Sequence, residues 1–110
     1  MNTAALKNSD RIRVLNDNFR STFVGGQVVM TQGVNALPID TKARVLLAVQ
    51  SFSNFTKDND PHGEHDFGDF QIEGETYFWK IDLYEEPEVK DSNGEPVVNR
   101  VLTIMLADEY

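Results

Sequence analysis

Apolar residues recur along this chain at two spacings, one helical and one strand-like. After Ser9 and Asp10, both good helix N-cap residues, Ile12, Leu15 and Phe19 follow at intervals of three and four. That spacing predicts a first helix over about residues 10–20, with Arg11, Arg13 and Arg20 on its outer face. Gly25-Gly26 breaks the pattern, and Gln27-Val28-Val29-Met30-Thr31 reads as a short strand. Gly33 and Pro38 bracket a loop. A second helix is expected from about Asp40 to Phe55, with Val45, Val49 and Phe52 on one stripe and Ala43, Leu46 and Leu47 widening it. Thr41, Lys42, Arg44, Gln50 and Ser53 fall towards solvent.

Alternation takes over in the second half. Phe67 to Ile72 reads as a strand, and Glu73-Gly74 as a tight hairpin turn into a strand over Glu75–Tyr84. Tyr77, Trp79, Ile81 and Leu83 share the face suited to a core, so Trp79 should be buried against the second helix. Phe78, Lys80, Asp82 and Tyr84 share the other face. Glu85 to Pro96 is polar and rich in turn formers, which predicts a connecting loop. The last strand, about Asn99 to Ala107, is apolar on both faces, as a central strand would be. The order α-β-α-β-β-β implies an α+β fold, a mainly antiparallel sheet of about four strands with two helices packed on one face.

Composition narrows this picture. At 110 residues the chain is long enough for one core and too short for two, so residues 1–110 are expected to form one compact domain. It has no cysteine, which removes disulfides, thiolate ligands and thiol nucleophiles. No apolar run reaches the roughly 20 residues of a membrane span, and MNTAALKNSDRIRV lacks a signal-peptide core. The default expectation is a cytosolic protein that engages no membrane.

The net charge of −8 is unevenly distributed. Residues 1–56 carry six bases and three acids, whereas residues 57–95 carry three bases and thirteen acids. So acidic a half repels phosphate backbones and attracts basic protein surfaces, which argues against direct nucleic-acid binding.

Candidate chemistry concentrates in one loop. Thr56 to Asp69 holds five of the eighteen acids and both histidines. Asp58, Asp60, Asp66 and Asp69 fall at positions one, three, nine and twelve of a calcium loop, with Gly63 at six. His62 at five, Pro61 at four and the short Asp69 depart from that pattern. A transition-metal site would draw on Asp58, Asp60, Glu64, His65 and Asp66, with His62 three residues from His65 and Asp82 as a distant ligand. Acid–base catalysis would use His65 and Asp66, with Glu64, Lys80 and Asp82 completing a small hydrolase site. The competing structural reading has Asp58, Asn59 and Asp60 capping turns, Lys80 paired with Asp66 or Asp82, and His65 as a satisfied interior histidine.

The segments RIRVLNDNFR, ALP with ARVLLAV, FTKDNDPHGEHDFG, FWKIDLY and RVLTIMLADEY cover nearly the whole chain. In these the chain resembles a family of short bacterial proteins, domain-of-unknown-function family 3768. Members of that family often have an aromatic residue where this chain has His62, so the resemblance implies no ligand role there. It implies one compact bacterial domain, and no activity, cofactor or catalytic residue.

The balance favours a non-enzymatic binding protein that needs no cofactor and docks its acidic half onto a basic partner. Glu73, Glu75, Glu85, Glu86, Glu88 and Asp91 are the expected contact residues. Small size, acidity and absence of cysteine are also gross features of phage and plasmid inhibitors of CRISPR or restriction complexes, whose target would be the nucleic-acid groove of a protein complex. The alternative is the small metal-dependent or acid–base hydrolase centred on the loop.

Overall fold

A computed structural model describes residues 8–110. In chain order they form α1 (Asn8–Thr22), β1 (Gln27–Met30), α2 (Gln32–Asn35), α3 (Ile39–Gln50), β2 (Phe67–Ile72), β3 (Glu75–Lys90) and β4 (Pro96–Leu106). A 3-10 turn, Ala107–Glu109, follows. The sheet order is β1-β4-β3-β2. β4 is thus central, as its two apolar faces require.

The fold is α+β, but the sheet is mixed. Antiparallel pairing holds for β2 with β3 and for β3 with β4, whereas β1 runs parallel to β4. The expectation of a mainly antiparallel sheet fails at that edge for a topological reason. β1 and β4 are joined by a long crossover through α2, α3 and the β2–β3 hairpin, so no tight turn dictates their direction.

Alternation sets the faces. Tyr77, Trp79 and Ile81 of β3 and Leu102 and Ile104 of β4 point to one side. There they form the core with Phe19 of α1, Val34 of α2, Val45 and Val49 of α3, and Phe52. Trp79 is 0% exposed, meeting Phe52 edge to face at 5.5 Å between ring centroids. Gly68 lies beneath it, where a Cβ would stand 2.5 Å from the indole nitrogen and 2.8 Å from Phe52. Only glycine lets β2 run so close under the tryptophan.

Four expectations about the helical layer need correction. The loop from Gly33 to Pro38 contains a helical turn, α2, which buries Val34. Leu15 is exposed because the buried stripe of α1 runs through Asn16, Phe19 and Arg20. Leu47 is exposed because the buried stripe of α3, Val45, Val49 and the following Phe52 as expected, is narrower than its apolar residues suggested. Ser9 and Asp10 lie inside the first turn of α1, where Asp10 accepts from Arg13 instead of capping.

The fourth correction joins the two helices. α3 ends at Gln50, not Phe55, and Arg20 is buried beneath α1, not on its outer face. Arg20 Nε donates to the Val49 carbonyl at 3.1 Å and Nη2 to the Phe52 carbonyl at 3.1 Å. The last carbonyls of a helix have no partner within it, and a cation there also meets the negative end of the helix dipole. An arginine on α1 therefore terminates α3. The charge is carried inwards because the guanidinium also lies over the rings of Phe55 and Trp79, 5.3 and 5.0 Å from their centroids.

Residues 85–96 are likewise not a loop. β3 continues through Lys90 and β4 starts at Pro96, closed by a turn in which the Asp91 carboxylate accepts from the amides of Asn93 and Glu95. The register slips between Glu86 and Lys90, and Pro87 sits in that irregularity, where the ladder needs no donor. The paired ends of β3 and β4 run beyond the buried core as an arm, alongside the first half of α1.

At the opposite edge the 3-10 turn is latched to the β1–α2 corner. Glu109 accepts from the Thr31 hydroxyl at 2.6 Å and from the amides of Gly33 and Leu106 at 2.9 and 3.0 Å. These bonds, the Thr31 hydroxyl foremost, hold its carboxyl below the usual carboxylate range.

Candidate functional site

The loop between α3 and β2 is organised by α1. Arg13, Asn16, Asp17 and Arg20 follow at helical spacing and form one inward polar stripe. Arg13 donates to the Gly63 carbonyl at 3.4 Å, and Asn16 Nδ2 to the Glu64 carbonyl at 3.0 Å. Asp17 Oδ1 lies 2.8 Å from His65 Nδ1 and also accepts from Arg20 Nη1 at 3.0 Å. Asp60 holds the other side of His65, accepting its backbone N–H at 3.0 Å and standing 3.5 Å from Nε2. The imidazole stacks on Phe55, with ring centroids 3.6 Å apart and planes within 2°. These bonds hold His65 at φ 53°, a left-handed conformation that few non-glycine residues adopt.

This arrangement fastens the loop. Both ring nitrogens of His65 face carboxylates, and one face of the ring is covered by Phe55. Asn59 caps its turn as the structural reading required, accepting from the Thr56 amide at 2.8 Å and donating to the Asn54 carbonyl at 2.9 Å. The Asp66 carbonyl accepts from Ile81 N–H at 2.8 Å, which leads the chain into β2. Asp58 and His62 are exposed. Among the described residues, no three His, Asp or Glu side chains gather as a group able to hold a metal ion.

The candidate acid–base set is divided by the sheet. Lys80 pairs with Asp82 at 3.3 Å. Both lie on the face opposite Trp79, whereas Phe55 and the stacked His65 lie on the Trp79 side. The carboxylates that meet the His65 ring are those of Asp17 and Asp60; Glu64 and Asp66 contribute backbone carbonyls to the loop, and Lys80 and Asp82 lie across the sheet. Asp17 is the partner that sequence reasoning missed. The available signal was the polar stripe at positions 13, 16, 17 and 20, which is unusual for a helix that must pack inwards.

The expected contact acids also divide into two groups. Glu73 and Glu75 flank the β2–β3 turn, where Glu73 is bonded to Arg44. Glu85, Glu86 and Glu88 are exposed on the arm and Asp91 at its turn, with Glu95 beside it and Lys90 the only base between residues 85 and 95. At 3.3 Å per residue, ten residues of strand put Glu75 and Glu85 about 33 Å apart, so one small contact cannot include both.

A groove of about 910 Å³ runs between the first half of α1 and the inner face of the arm. Ile12, Leu15, Leu83 and Val98 supply its apolar lining, and Arg11 and Arg100 its cations. Arg100 Nε donates to Asn16 Oδ1 at 3.0 Å. Partial burial lowers its pKa, and no carboxylate pairs with it among the described residues.

Among the described residues no helix is long and apolar enough to cross a membrane. No curated protein and no solved structure matches the chain. The family DUF3768, described as a protein of unknown function, matches residues 30–109, from the end of β1 to the 3-10 turn, and the chain belongs to that family.

Proposed function

We propose that this protein is a non-catalytic binding protein that docks its acidic β3–β4 arm onto a positively charged protein surface. The nucleic-acid groove of a nucleic-acid-handling complex is the partner class that fits best, and occupying such a groove would inhibit the complex. The observation that supports this reading is the arm itself. Two paired strands run on beyond the core carrying Glu85, Glu86, Glu88, Asp91 and Glu95 on exposed positions, with one lysine among them. Clustered exposed carboxylates repel one another and contribute little to the fold, but together they give a field that steers a basic partner. The loop histidine, by contrast, is engaged on both nitrogens by the fold.

The test is a lysate pull-down with wild-type protein and with the Glu85→Lys, Glu86→Lys, Glu88→Lys triple variant, whose substitutions lie on exposed positions. The wild type should recover a partner that is released as salt rises, and the triple variant should fail to recover it. Recovery of the same partner by both proteins would overturn the reading.

A further inference from the structure

Beyond Ile81 and Leu102 the core-facing side of the sheet is less covered by the described residues, and α1 lines one side of a groove there. Leu83 and Val98 continue the inward face, yet each is 39% exposed, and Leu15 across the groove is 49% exposed. Along this face the charge changes sign. Arg100, opposite Leu83, stands at the base beside Asn16, and Val98 opposite Glu85 comes next. Asp91 and Glu95 form the mouth at the turn. The groove therefore presents the half-buried Arg100 at its base, an apolar middle, and carboxylates at its mouth, with the exposed Arg11 of α1 as a second cation in its lining.

Arg100 decides what fits. One guanidinium donor is taken by a neutral amide, and no acid of the described residues supplies a counter-charge. A half-buried guanidinium has a planar fork of donors suited to a carboxylate. A uniformly basic segment would meet this cation unfavourably, and a uniformly acidic one would be repelled at the mouth.

We infer that the groove between α1 and the β3–β4 arm binds a segment of the basic partner that carries one acidic residue. Its carboxylate meets Arg100, its apolar side chains lie over Leu83 and Val98, and its lysines or arginines face Glu85, Asp91 and Glu95. This deepens the docking reading above and rests on it, since it states which chemistry a basic partner must add in order to be recognised.

The experiment selects a displayed random-peptide library on the immobilised full-length protein, then measures enriched peptides by fluorescence anisotropy. Enriched sequences should combine apolar residues, one Asp or Glu, and Lys or Arg to one side. Replacing the peptide acid by its amide should weaken binding to wild type about tenfold, the scale of a hydrogen bond to a charged group. The same replacement should have little effect on binding to the Arg100→Gln variant, because only the pair is coupled. Arg100→Lys, which keeps the charge and loses the fork, should fall between the two, and melting curves of both variants check folding.

Absence of enrichment, enriched peptides without an acid, or an equal amide penalty on wild type and Arg100→Gln would each overturn the inference. So would self-association of the protein that Arg100→Gln abolishes, which would make a second copy the occupant. Selection of the acid without the bases would also overturn the inference, whereas a pull-down with Glu86→Lys and Glu88→Lys alone, both outside the groove lining, tests the arm separately.

Discussion

The same two strands lead different lives at their two ends. In the body, Tyr77, Trp79 and Ile81 of β3 pack beneath the helices with Leu102 and Ile104 of β4, and all are buried. Two residues further out, Leu83 keeps the same side of the sheet and is left exposed. Alternation fixes which way a side chain points, but a covering layer decides whether it is buried. α1 and α3 cover the body, and the arm has cover only along the groove. Free energy of folding should therefore concentrate at one end of β3 and contact chemistry at the other.

The largest effect should come from the centre of the covered end. Trp79→Ala removes the biggest buried side chain and should cost about 3–5 kcal/mol in denaturant unfolding. A cost near that of an arm substitution would break the comparison.

Next is Arg20→Met, which keeps much of the side-chain length but removes the guanidinium bonds to the Val49 and Phe52 carbonyls and to Asp17, leaving Val49 with the Phe52 amide and Asp17 with His65. Since Asp17 remains partly solvated, the expected loss is about 2–3 kcal/mol and not the full penalty of a dry pair. Hydrogen exchange should show the last turn of α3 opening more readily in this variant.

On the arm, Leu83→Ser and Val98→Ser should each cost less than about 1 kcal/mol, because both side chains are already partly in water. Both should nevertheless weaken binding of a groove peptide.

The smallest effect is on pH dependence. Glu109 has its native carboxyl held below the usual range, so its contribution is present above about pH 4.3, the ordinary value for glutamate, and is lost as pH falls through the lowered native value. Glu109→Gln should therefore lower the melting temperature at neutral pH and give a shallower decline below about pH 5, with the two curves converging in acid. Parallel curves would show that the latch to Thr31 and Gly33 is not holding the charged form.

Much of the sheet was legible from local pattern. The β2–β3 hairpin, the burial of Trp79 and the central place of β4 all follow from alternation and from Glu73-Gly74, because strand faces and tight turns are set by neighbouring residues. The arm was not legible. Its polar composition is what turns share, and its pairing depends on β4 lying alongside. The loop gave partial information: its turn caps are local, so Asn59 could be placed, but the partner of His65 is 48 residues away on α1.

The sequence by itself determined the α+β class, the faces of β2, β3 and β4 within the helix-covered part of the sheet, and the concentration of acids after residue 57, since each is a matter of spacing or count along the chain. Only the tertiary structure decided that β1 runs parallel to β4, that Arg20 ends α3, and that Asp17 and Asp60 hold His65. β1 takes its direction from the long crossover that joins it to β4, which no tight turn constrains, and the other two follow from the satisfaction of polar groups. A buried polar group is stabilised only by a partner that completes its hydrogen bonds, and that partner is brought near by packing from distant parts of the chain.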